Sequence, residues 1–340
     1  MISYKKKWKI FGASISSLFK PIVLWSHLWV TRKCNLSCDY CYVVDNSIAD
    51  PTLQDLKKRI DKLVELGTCA IHLMGGEPTL RPDLGEIVSH CAAKDILVLM
   101  TTNATLLNER IIQQLGEAGV DAIELSVDAI KETLSSKKSI VRQEKALGLL
   151  LKHQPTYRYQ IKLNMVLSNR TIHELPGILR FIEDKPISIT IGLVMPPPSE
   201  SSKWKGNSIH FRTNEQKLNL LNAADFIISQ KKSGAKILDP VDYFLSFGDF
   251  LEEKQVWKCD TGKYFLEIDV DGKLLYCSYL LNKIDVDILD LDKDYYSKLK
   301  AKFESQLESC NRLCLANCFY DTSYFRKHPL YSLKNLMQAV

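Results

Sequence analysis

Residues 28–42 read LWVTRKCNLSCDYCY. An apolar run typical of a strand leads directly into three cysteines, Cys34, Cys38 and Cys41, with the spacing C-x3-C-x2-C. Thiolates this close in sequence can hold an iron–sulfur cluster. Only three ligands come from the loop, so the fourth iron of a cubane keeps an open position, where a metal can support chemistry. Cys38 and Cys41 also form the C-x2-C pair of structural zinc sites, which is the alternative interpretation.

The composition is that of an ordinary globular protein, with 340 residues of which 46% are apolar and 25% are charged. The net charge of +5 is smaller than the basic footprint of most nucleic-acid-binding proteins, so no nucleic-acid partner is expected. The ten cysteines are clustered in a long chain, which favours metal binding or catalysis over a secreted disulfide framework. We therefore expect a reducing, cytoplasmic environment.

After residue 26, short apolar runs alternate with amphipathic segments. The predicted strands are His27–Thr31, Ala70–Met74, Leu97–Thr101, Ala122–Val127, Ile161–Leu167 and Ile187–Leu193. The helical patterns between them are a segment that opens at Pro51-Thr52 and stops at Gly67, then Asp83–Ala93, Asn108–Ala118, Val141–His153 and Ile172–Glu183. Repeated strand–helix units predict a parallel sheet with right-handed crossovers. The predicted fold is α/β, a partial (β/α)6 TIM-like barrel with its chemistry at the C-terminal ends of the strands.

The sequence changes character after the sixth predicted strand. Residues 195–207 are rich in Pro and Ser and predict a linker or a lid over the barrel. Residues 214–232 have a helical pattern, and residues 265–276 alternate around Asp271-Gly272, a strong signal of a β-hairpin. With five further cysteines, this part predicts a small C-terminal Cys-rich α+β domain. The predicted units are an N-terminal segment (1–24), the barrel (25–212) and the C-terminal domain (213–340).

The N-terminal segment mixes five lysines with large apolar residues, and the first acidic residue of the chain is Asp39. Lys20-Pro21 interrupts the apolar stretch, which falls short of the roughly 20 apolar residues of a membrane span. No small-residue cleavage site follows, which disfavours a signal peptide. The pattern predicts a basic amphipathic helix over residues 1–24. Such a helix either contacts an anionic membrane surface or packs against the barrel as a cap.

A second signal, Gly75-Gly76-Glu77-Pro78, directly follows the strand Ala70–Met74. Glycines let a ligand approach the backbone closely, and Glu77 offers a carboxylate to an ammonium group. By itself the motif could be a tight turn from strand to helix. It lies one strand–helix unit after the cysteines, and the two motifs in this order resemble the radical S-adenosylmethionine (radical SAM) superfamily and its GGEP motif.

The resemblance implies a role for both motifs. Cys34, Cys38 and Cys41 then bind a [4Fe–4S] cluster whose open iron is chelated by S-adenosylmethionine, and Gly75, Gly76, Glu77 and Pro78 hold the methionine moiety. Reduction of the cluster cleaves the cofactor to a 5′-deoxyadenosyl radical, which abstracts hydrogen from a substrate carbon. Other cofactor contacts are expected from the aromatic residue before the third cysteine and from polar residues at strand ends, namely Tyr40, Asn103, Ser126, Asp128 and Asn164. Polar residues at strand ends are typical of barrel sites but also cap helices.

The C-terminal part carries Cys259, Cys277, Cys310, Cys314 and Cys318. Their arrangement around the hairpin resembles the auxiliary-cluster domains of the family, called SPASM and, in shorter form, twitch, and it implies a second iron–sulfur cluster. Full SPASM domains have more cysteines, and these five suffice for one cluster with one spare. The expected ligands are Cys259, Cys277, Cys314 and Cys318, with Cys310 as a substitute, and zinc is the alternative metal. If the last three were helical, their spacing would place them on one face.

The implied activity is C–H activation during maturation of a peptide or protein, the usual role of this tail type. A lipid or another membrane-associated small molecule is the alternative substrate, because the closing cysteines are also similar to those of adenosylhopane synthase. An electron donor such as flavodoxin or ferredoxin is the expected partner. If the N-terminal helix binds lipid, the protein is peripheral on the inner membrane face. The alternative from another class is a non-catalytic, zinc-stabilised binding protein.

Overall fold

The computed structural model describes residues 2–38, 40–133, 136–195, 210–254, 257–278, 283–309 and 314–338. Within these residues the centre of the molecule is a nine-stranded sheet with the strand order β6-β5-β4-β3-β2-β1-β7-β8-β9. The strands are β1 (Trp25–Thr31), β2 (Ala70–Gly75), β3 (Leu97–Thr102), β4 (Ala122–Ser126), β5 (Gln160–Leu167), β6 (Ile187–Leu193), β7 (Phe265–Ile268), β8 (Lys273–Leu275) and β9 (Lys283–Asp287). The helices are α1 (Tyr4–Ser16), α2 (Leu53–Glu65), α3 (Leu84–Ala92), α4 (Glu109–Glu117), α5 (Ile140–Tyr157), α6 (Leu175–Ile182), α7 (Asn214–Lys232), α8 (Val241–Leu251), α9 (Tyr295–Ser309), α10 (Asn317–Lys327) and α11 (Pro329–Gln338).

The predicted barrel is confirmed, because β1 to β6 are neighbours in chain order and all pair in parallel. Helices cover the outer face of these strands, as the apolar stripe of α2 shows: Leu56, Ile60 and Leu63 are fully buried. That helix begins at a capping box, in which Thr52 and Asp55 exchange hydrogen bonds between side chain and backbone. Parallel strand–helix units of this kind place the C-terminal ends of all six strands at one rim of the barrel. The cysteine loop after β1 and the glycine motif after β2 lie at this rim.

The C-terminal part continues the barrel's own sheet. Strand β7 pairs in parallel with β1, with Phe265 opposite Trp25. Strands β7 and β8 then form the predicted hairpin, in which Gly272 adopts a φ of +88° that few other residues tolerate. Helix α10 contacts both ends of the parallel part: the rings of Phe319 and Phe265 are 4.8 Å apart, and Asn317 lies against Gly192 of β6. The helix therefore closes the open side of the partial barrel.

The predicted N-terminal helix is observed over a shorter range than residues 1–24, as α1 (Tyr4–Ser16), and it packs against the barrel. Ile2 is buried in a cluster with the residues that begin β2 and β4, Ala70 and Ala122. The Lys6 Nζ atom lies 2.6 Å from the Asp121 carboxylate, just before β4. The cap that was one of the two alternatives is thus observed, and it covers the N-terminal ends of the strands.

The outer face of α1 carries large apolar side chains. Tyr4, Trp8 and Phe19, just after the helix, are 71%, 58% and 84% exposed, respectively. No helix in the described part of the chain combines the length and apolar character needed to cross a bilayer. The Pro- and Ser-rich stretch, predicted to be a linker or a lid, lies outside the described residues apart from Met195, so this prediction stays open.

Candidate functional site

A cavity of about 440 Å³ lies inside the barrel. Its rim at the C-terminal ends of the strands is lined by Cys34, Cys38 and Cys41, and its opposite end by Ile2 and Ile10 of the N-terminal segment. The cavity thus extends through the barrel interior, from the cysteine loop to the helix that caps the other end.

Hydrogen bonds of the protein hold the cysteine loop. The Cys34 N–H donates to Asn46 Oδ1 at 2.9 Å, and the Cys41 N–H donates to the Cys38 carbonyl at 3.1 Å. The amide of Asn103 reaches over from the end of β3, with its Nδ2 atom 3.8 Å from Cys34 Sγ. Burial raises the pKa of the Cys34 and Cys38 thiols, and the neighbouring thiols add to the effect. The three side chains line the same rim of the cavity.

The donor set fits a cluster. Among the described residues, no three His, Cys, Asp or Glu side chains converge as they do around a single ion. A cubane takes each thiolate on a different iron, so three neighbouring but separated thiols at one rim are suitable donors. The side chains of Cys34, Cys38 and Cys41 are partly exposed, free of disulfide bonds and line the cavity.

The glycine motif after β2 packs directly against the cysteine loop. The Gly76 N–H donates to the Thr31 carbonyl and the Glu77 N–H donates to the Lys33 carbonyl, each at 2.8 Å. A Cβ atom on Gly76 would lie 2.0 Å from the Lys33 carbonyl oxygen, and one on Gly75, where φ is +132°, would lie 2.0 Å from that of Thr31. Only glycine allows this approach, so the motif fixes the loop as well as lining the cavity.

The Glu77 carboxylate is fully buried and bonded within the protein. It accepts hydrogen bonds from the Thr102 hydroxyl at 2.6 Å, the Asn103 N–H at 2.7 Å and the Thr79 N–H at 3.1 Å. Burial raises the pKa of Glu77, while these bonds oppose the shift. Gly75 and Gly76 line the cavity, whereas Glu77 ties the end of β2 to the end of β3. Pro78 begins the short 3-10 turn that follows.

Three of the polar residues expected to contact the cofactor lie together at the cavity. Asn103, Ser126 and Asn164 line it, and Ser126 is directly opposite Asn164 in the pairing of β4 with β5. Asp128 differs, since it is only 1% exposed and accepts hydrogen bonds from Ser136 at 2.6 Å and from the Tyr40 hydroxyl. The structure therefore places Asp128 behind the cysteine loop, where it holds Tyr40.

Sequence reasoning missed Lys138. Its Nζ atom lies 3.0 Å from the Tyr40 hydroxyl and 4.9 Å from the centre of the Tyr40 ring. Burial and the nearby Asp128 raise the pKa of Tyr40 well above its usual range. In the sequence Lys138 is one of two adjacent lysines, a pattern typical of a solvated face, and its contact with a residue 98 positions away leaves no local signal.

A polar belt inside the barrel was also missed. His72 Nε2 lies 2.6 Å from the Thr101 hydroxyl, which donates to Glu124 at 2.8 Å, and Lys162 is opposite Glu124 on the next strand. All four line the cavity. The sequence held one signal of these polar residues, because Glu124 is a charged residue within the mostly apolar strand Ala122–Ser126.

One tail cysteine, Cys318, reaches the cavity, and other tail residues lie near it. Burial, Glu267, Cys277 and Cys314 raise the pKa of Cys318 well above its usual range, so these groups are neighbours. Cys318 lines the same cavity as the cysteine loop. Cys259 is two residues before Thr261, whose hydroxyl donates at 2.9 Å to the carbonyl of Tyr276, the residue before Cys277.

If the last three cysteines were helical, they would share one face, but Cys314 does not lie in a helix. Helix α10 begins at Asn317, so Cys318 lies in its first turn and Cys314 precedes it. The Cys314 carbonyl instead accepts a hydrogen bond from Trp257 Nε1 at 2.6 Å. Cys310 lies outside the described residues.

Comparison with known proteins identifies one family. Residues 29–182 match the model of the radical SAM superfamily. The Fe-coproporphyrin III synthase of Methanosarcina barkeri is 25% identical over 222 residues, 64% of this chain and 55% of that protein. The PqqA peptide cyclase of Bradyrhizobium diazoefficiens is 29% identical over 161 residues, 46% of this chain and 42% of that protein. The chain thus spans about half the length of these two relatives.

Solved structures share the fold. Streptococcus suis SuiB bound to the precursor peptide SuiA has a TM-score of 0.64 at 16% identity, covering 85% of this chain and 68% of that one. The structure of anSMEcpe with bound AdoMet has a TM-score of 0.61 at 18% identity, covering 92% of this chain and 100% of that one. At these identities the likeness shows the architecture, including the C-terminal extension of the barrel.

Proposed function

Because this chain carries a radical SAM domain over residues 29–182 and belongs to that superfamily of enzymes, we propose that it cleaves S-adenosylmethionine reductively to activate a C–H bond of its substrate. The cofactors of the superfamily are a [4Fe–4S] cluster and S-adenosylmethionine. When bound, they supply a 5′-deoxyadenosyl radical that abstracts hydrogen. The protein's own part is to hold both cofactors and to keep water from the reacting atoms.

One observation carries the proposal: the three loop thiols, Gly75-Gly76 and polar strand-end side chains line the same cavity. Cys34, Cys38 and Cys41 are the proposed cluster ligands. The exposed backbone of Gly75 and Gly76 is the proposed seat of the methionine moiety. Asn103, Ser126 and Asn164 are placed for polar contacts with the rest of that cofactor. Glu77, Pro78 and Asp128 support these groups from behind, and Tyr40 lines the cavity beside the thiols.

Replacing Cys38 by Ala tests this assignment. The variant is expected to lose the iron of this site and to form 5′-deoxyadenosine at least 100-fold more slowly, with dithionite as reductant. Cys91→Ala is the matched control, because Cys91 is fully buried in α3 away from the cavity. Unchanged 5′-deoxyadenosine formation by Cys38→Ala would refute the site. A colourless, zinc-loaded wild type that takes up no iron would instead favour a non-catalytic binding protein.

The proposed substrate is a peptide or protein undergoing maturation. The relative named PqqA peptide cyclase and the fold shared with peptide-bound SuiB support this class. Cys259, Cys277, Cys314 and Cys318 are the proposed ligands of an auxiliary cluster, which would lie across the cavity from the first. An electron donor such as flavodoxin or ferredoxin completes the proposed system, which is placed in the cytoplasm.

A membrane-associated small molecule is the second candidate substrate, and two observations favour it. The cavity ends in apolar residues, including Ile2 and Ile10. The other side of the same segment exposes Tyr4, Trp8 and Phe19 to solvent. Aromatic side chains with one apolar face favour the bilayer interface, so this surface is the proposed membrane contact of residues 1–24.

Vesicle binding separates the two candidates. For the membrane candidate, wild type should sediment with phosphatidylglycerol vesicles, and the double variant Trp8→Ser, Phe19→Ser should not. Leu245→Ser is the control, because Leu245 is 61% exposed on α8. Equal sedimentation of the double variant and the wild type, or no binding by either, would leave the peptide as the proposed substrate.

A further inference from the structure

Lys138 joins the segment after β4 to the cysteine loop. Its Nζ atom lies 3.0 Å from the Tyr40 hydroxyl, and the hydroxyl donates to the Asp128 carboxylate. Asp128 is held in turn by the Ser136 hydroxyl at 2.6 Å, and the Ser136 N–H donates to Thr133 Oγ1 at 3.0 Å. A continuous set of hydrogen bonds therefore fixes the ring between the second and third cysteines of the loop.

Lys138 also lines the cavity together with Cys34, Cys38 and Cys41. The charges of Lys138 and Asp128, both bonded to Tyr40, therefore lie next to the loop that carries the proposed ligands. The adjacent Lys137 points elsewhere, with its Nζ atom 3.2 Å from Glu132 and its side chain 54% exposed. Two neighbouring lysines of identical chemistry thus differ in that only Lys138 faces the cysteine loop.

We propose that Lys138 is a positioning residue of the cluster loop, which holds Tyr40 in place and makes reduction of the bound cluster more favourable. The inference rests on the proposed function, because it requires a cluster on Cys34, Cys38 and Cys41. Reduction adds one electron and hence one negative charge to the cluster. A fixed cation beside a ligand stabilises that charge, and the effect is strong where water is excluded. Groups behind metal ligands commonly tune a site in this way.

An EPR-monitored redox titration of the iron-loaded protein, without S-adenosylmethionine, measures the effect. The relevant signal is the one that changes when S-adenosylmethionine is added afterwards. Lys138→Met is expected to shift the midpoint potential to more negative values, and Lys138→Arg to restore it. Lys137→Met, the matched control, removes the same charge one position away and is expected to leave the potential unchanged.

Asp128→Asn provides a test of opposite sign. It removes the anion that is bonded to Tyr40 of the cysteine loop, so the midpoint potential should become less negative. If Lys138→Met takes up no iron, the potential of Asp128→Asn tests the proposal instead. An unshifted Lys138→Met potential, or a shift of Asp128→Asn in the negative direction, would overturn the proposal. An unshifted potential with weakened S-adenosylmethionine binding would make Lys138 a cofactor ligand instead. A wild type with no reducible cluster would refute the proposed function itself.

Discussion

At the scale of single residues, His72 shows how the barrel interior affects its groups. It is 8% exposed, hydrogen-bonded to the Thr101 hydroxyl, and its ring packs edge-on against His27 at 5.3 Å. Burial, with the nearby His27 and Lys162, lowers the pKa of His72 well below its usual range. Its separation of 3.8 Å from Glu124 is therefore a contact of a neutral ring, not an ion pair.

This shift predicts a loss of stability in acid. Below about pH 6.5 the unfolded chain protonates His72 but the folded chain does not, so protons favour unfolding by up to about 1.4 kcal/mol per pH unit. The free energy of unfolding from urea titrations should fall between pH 7 and pH 5, and less steeply in His72→Gln. His90→Gln, on a half-buried histidine paired with Asp61 at 2.8 Å, is the control. Identical pH dependence in His72→Gln and wild type would contradict the prediction.

Gly76 gives a second prediction for a single residue. A methyl group there would overlap the Lys33 carbonyl at 2.0 Å, and backbone cannot move aside as a flexible side chain can. Gly76→Ala should therefore displace the cysteine loop and reduce iron and sulfide uptake severalfold after anaerobic reconstitution. Gly148→Ala is the matched control, because a methyl group at Gly148 in α5 meets nothing within 4 Å. Full iron content in Gly76→Ala would show that the close contact does not position the ligands.

At the scale of elements, α1 is held to the barrel by its lysines. Lys5 reaches Asp95, Lys6 reaches Asp121, and Lys9 donates to the carbonyls of residues 94 and 95. Much of the positive charge of the N-terminal sequence is thus paired with acidic residues and carbonyl groups of the barrel. A membrane contact of α1 would therefore depend mainly on the apolar residues of its outer side.

The two ion pairs of α1 should differ greatly in strength. The side chains of Lys6 and Asp121 are 11% and 10% exposed, so Lys6→Met leaves a buried carboxylate without its counter-ion. The expected loss is about 3 kcal/mol of unfolding free energy. Lys5→Met should cost at most about 1 kcal/mol, because the Lys5 side chain is 73% exposed. Urea denaturation measures the loss of unfolding free energy in both variants. Equal losses would mean that burial does not make the Lys6–Asp121 pair stronger than the exposed Lys5–Asp95 pair.

At the scale of the whole molecule, the cavity is lined both by the loop cysteines and by one cysteine of the tail. Cys34, Cys38 and Cys41 lie at the rim formed by the first strands, and Cys318 reaches the cavity from α10. Helix α10 lies between β6 and β7, so the element that closes the barrel also carries a candidate ligand. A substrate in the cavity would therefore lie near Cys318 as well as near the cysteine loop.

This arrangement predicts separable clusters. Wild type should bind about eight iron atoms per chain, and Cys318→Ala about four, if each site holds a [4Fe–4S] cluster. Cys318→Ala should still form 5′-deoxyadenosine with dithionite, whereas Cys38→Ala, with a similar iron content, should not. Iron analysis and product chromatography measure both quantities. Unchanged iron in Cys318→Ala would remove this residue from the proposed auxiliary ligands.

The sequence by itself determined the resemblance to the radical SAM superfamily, the order of six strands and their helices, the cysteine loop and the hairpin around Gly272. Each depends on residues close together in the chain, such as a cysteine spacing, a hydrophobic period or a turn residue, and local chemistry suffices to identify it. The side of α1 that faces the barrel, the burial of Glu77, the contact of Lys138 with Tyr40 and the position of α10 were decided only by the tertiary structure. These features depend on contacts between distant segments, whose partners are selected when helices and strands pack and not by any pattern along the chain.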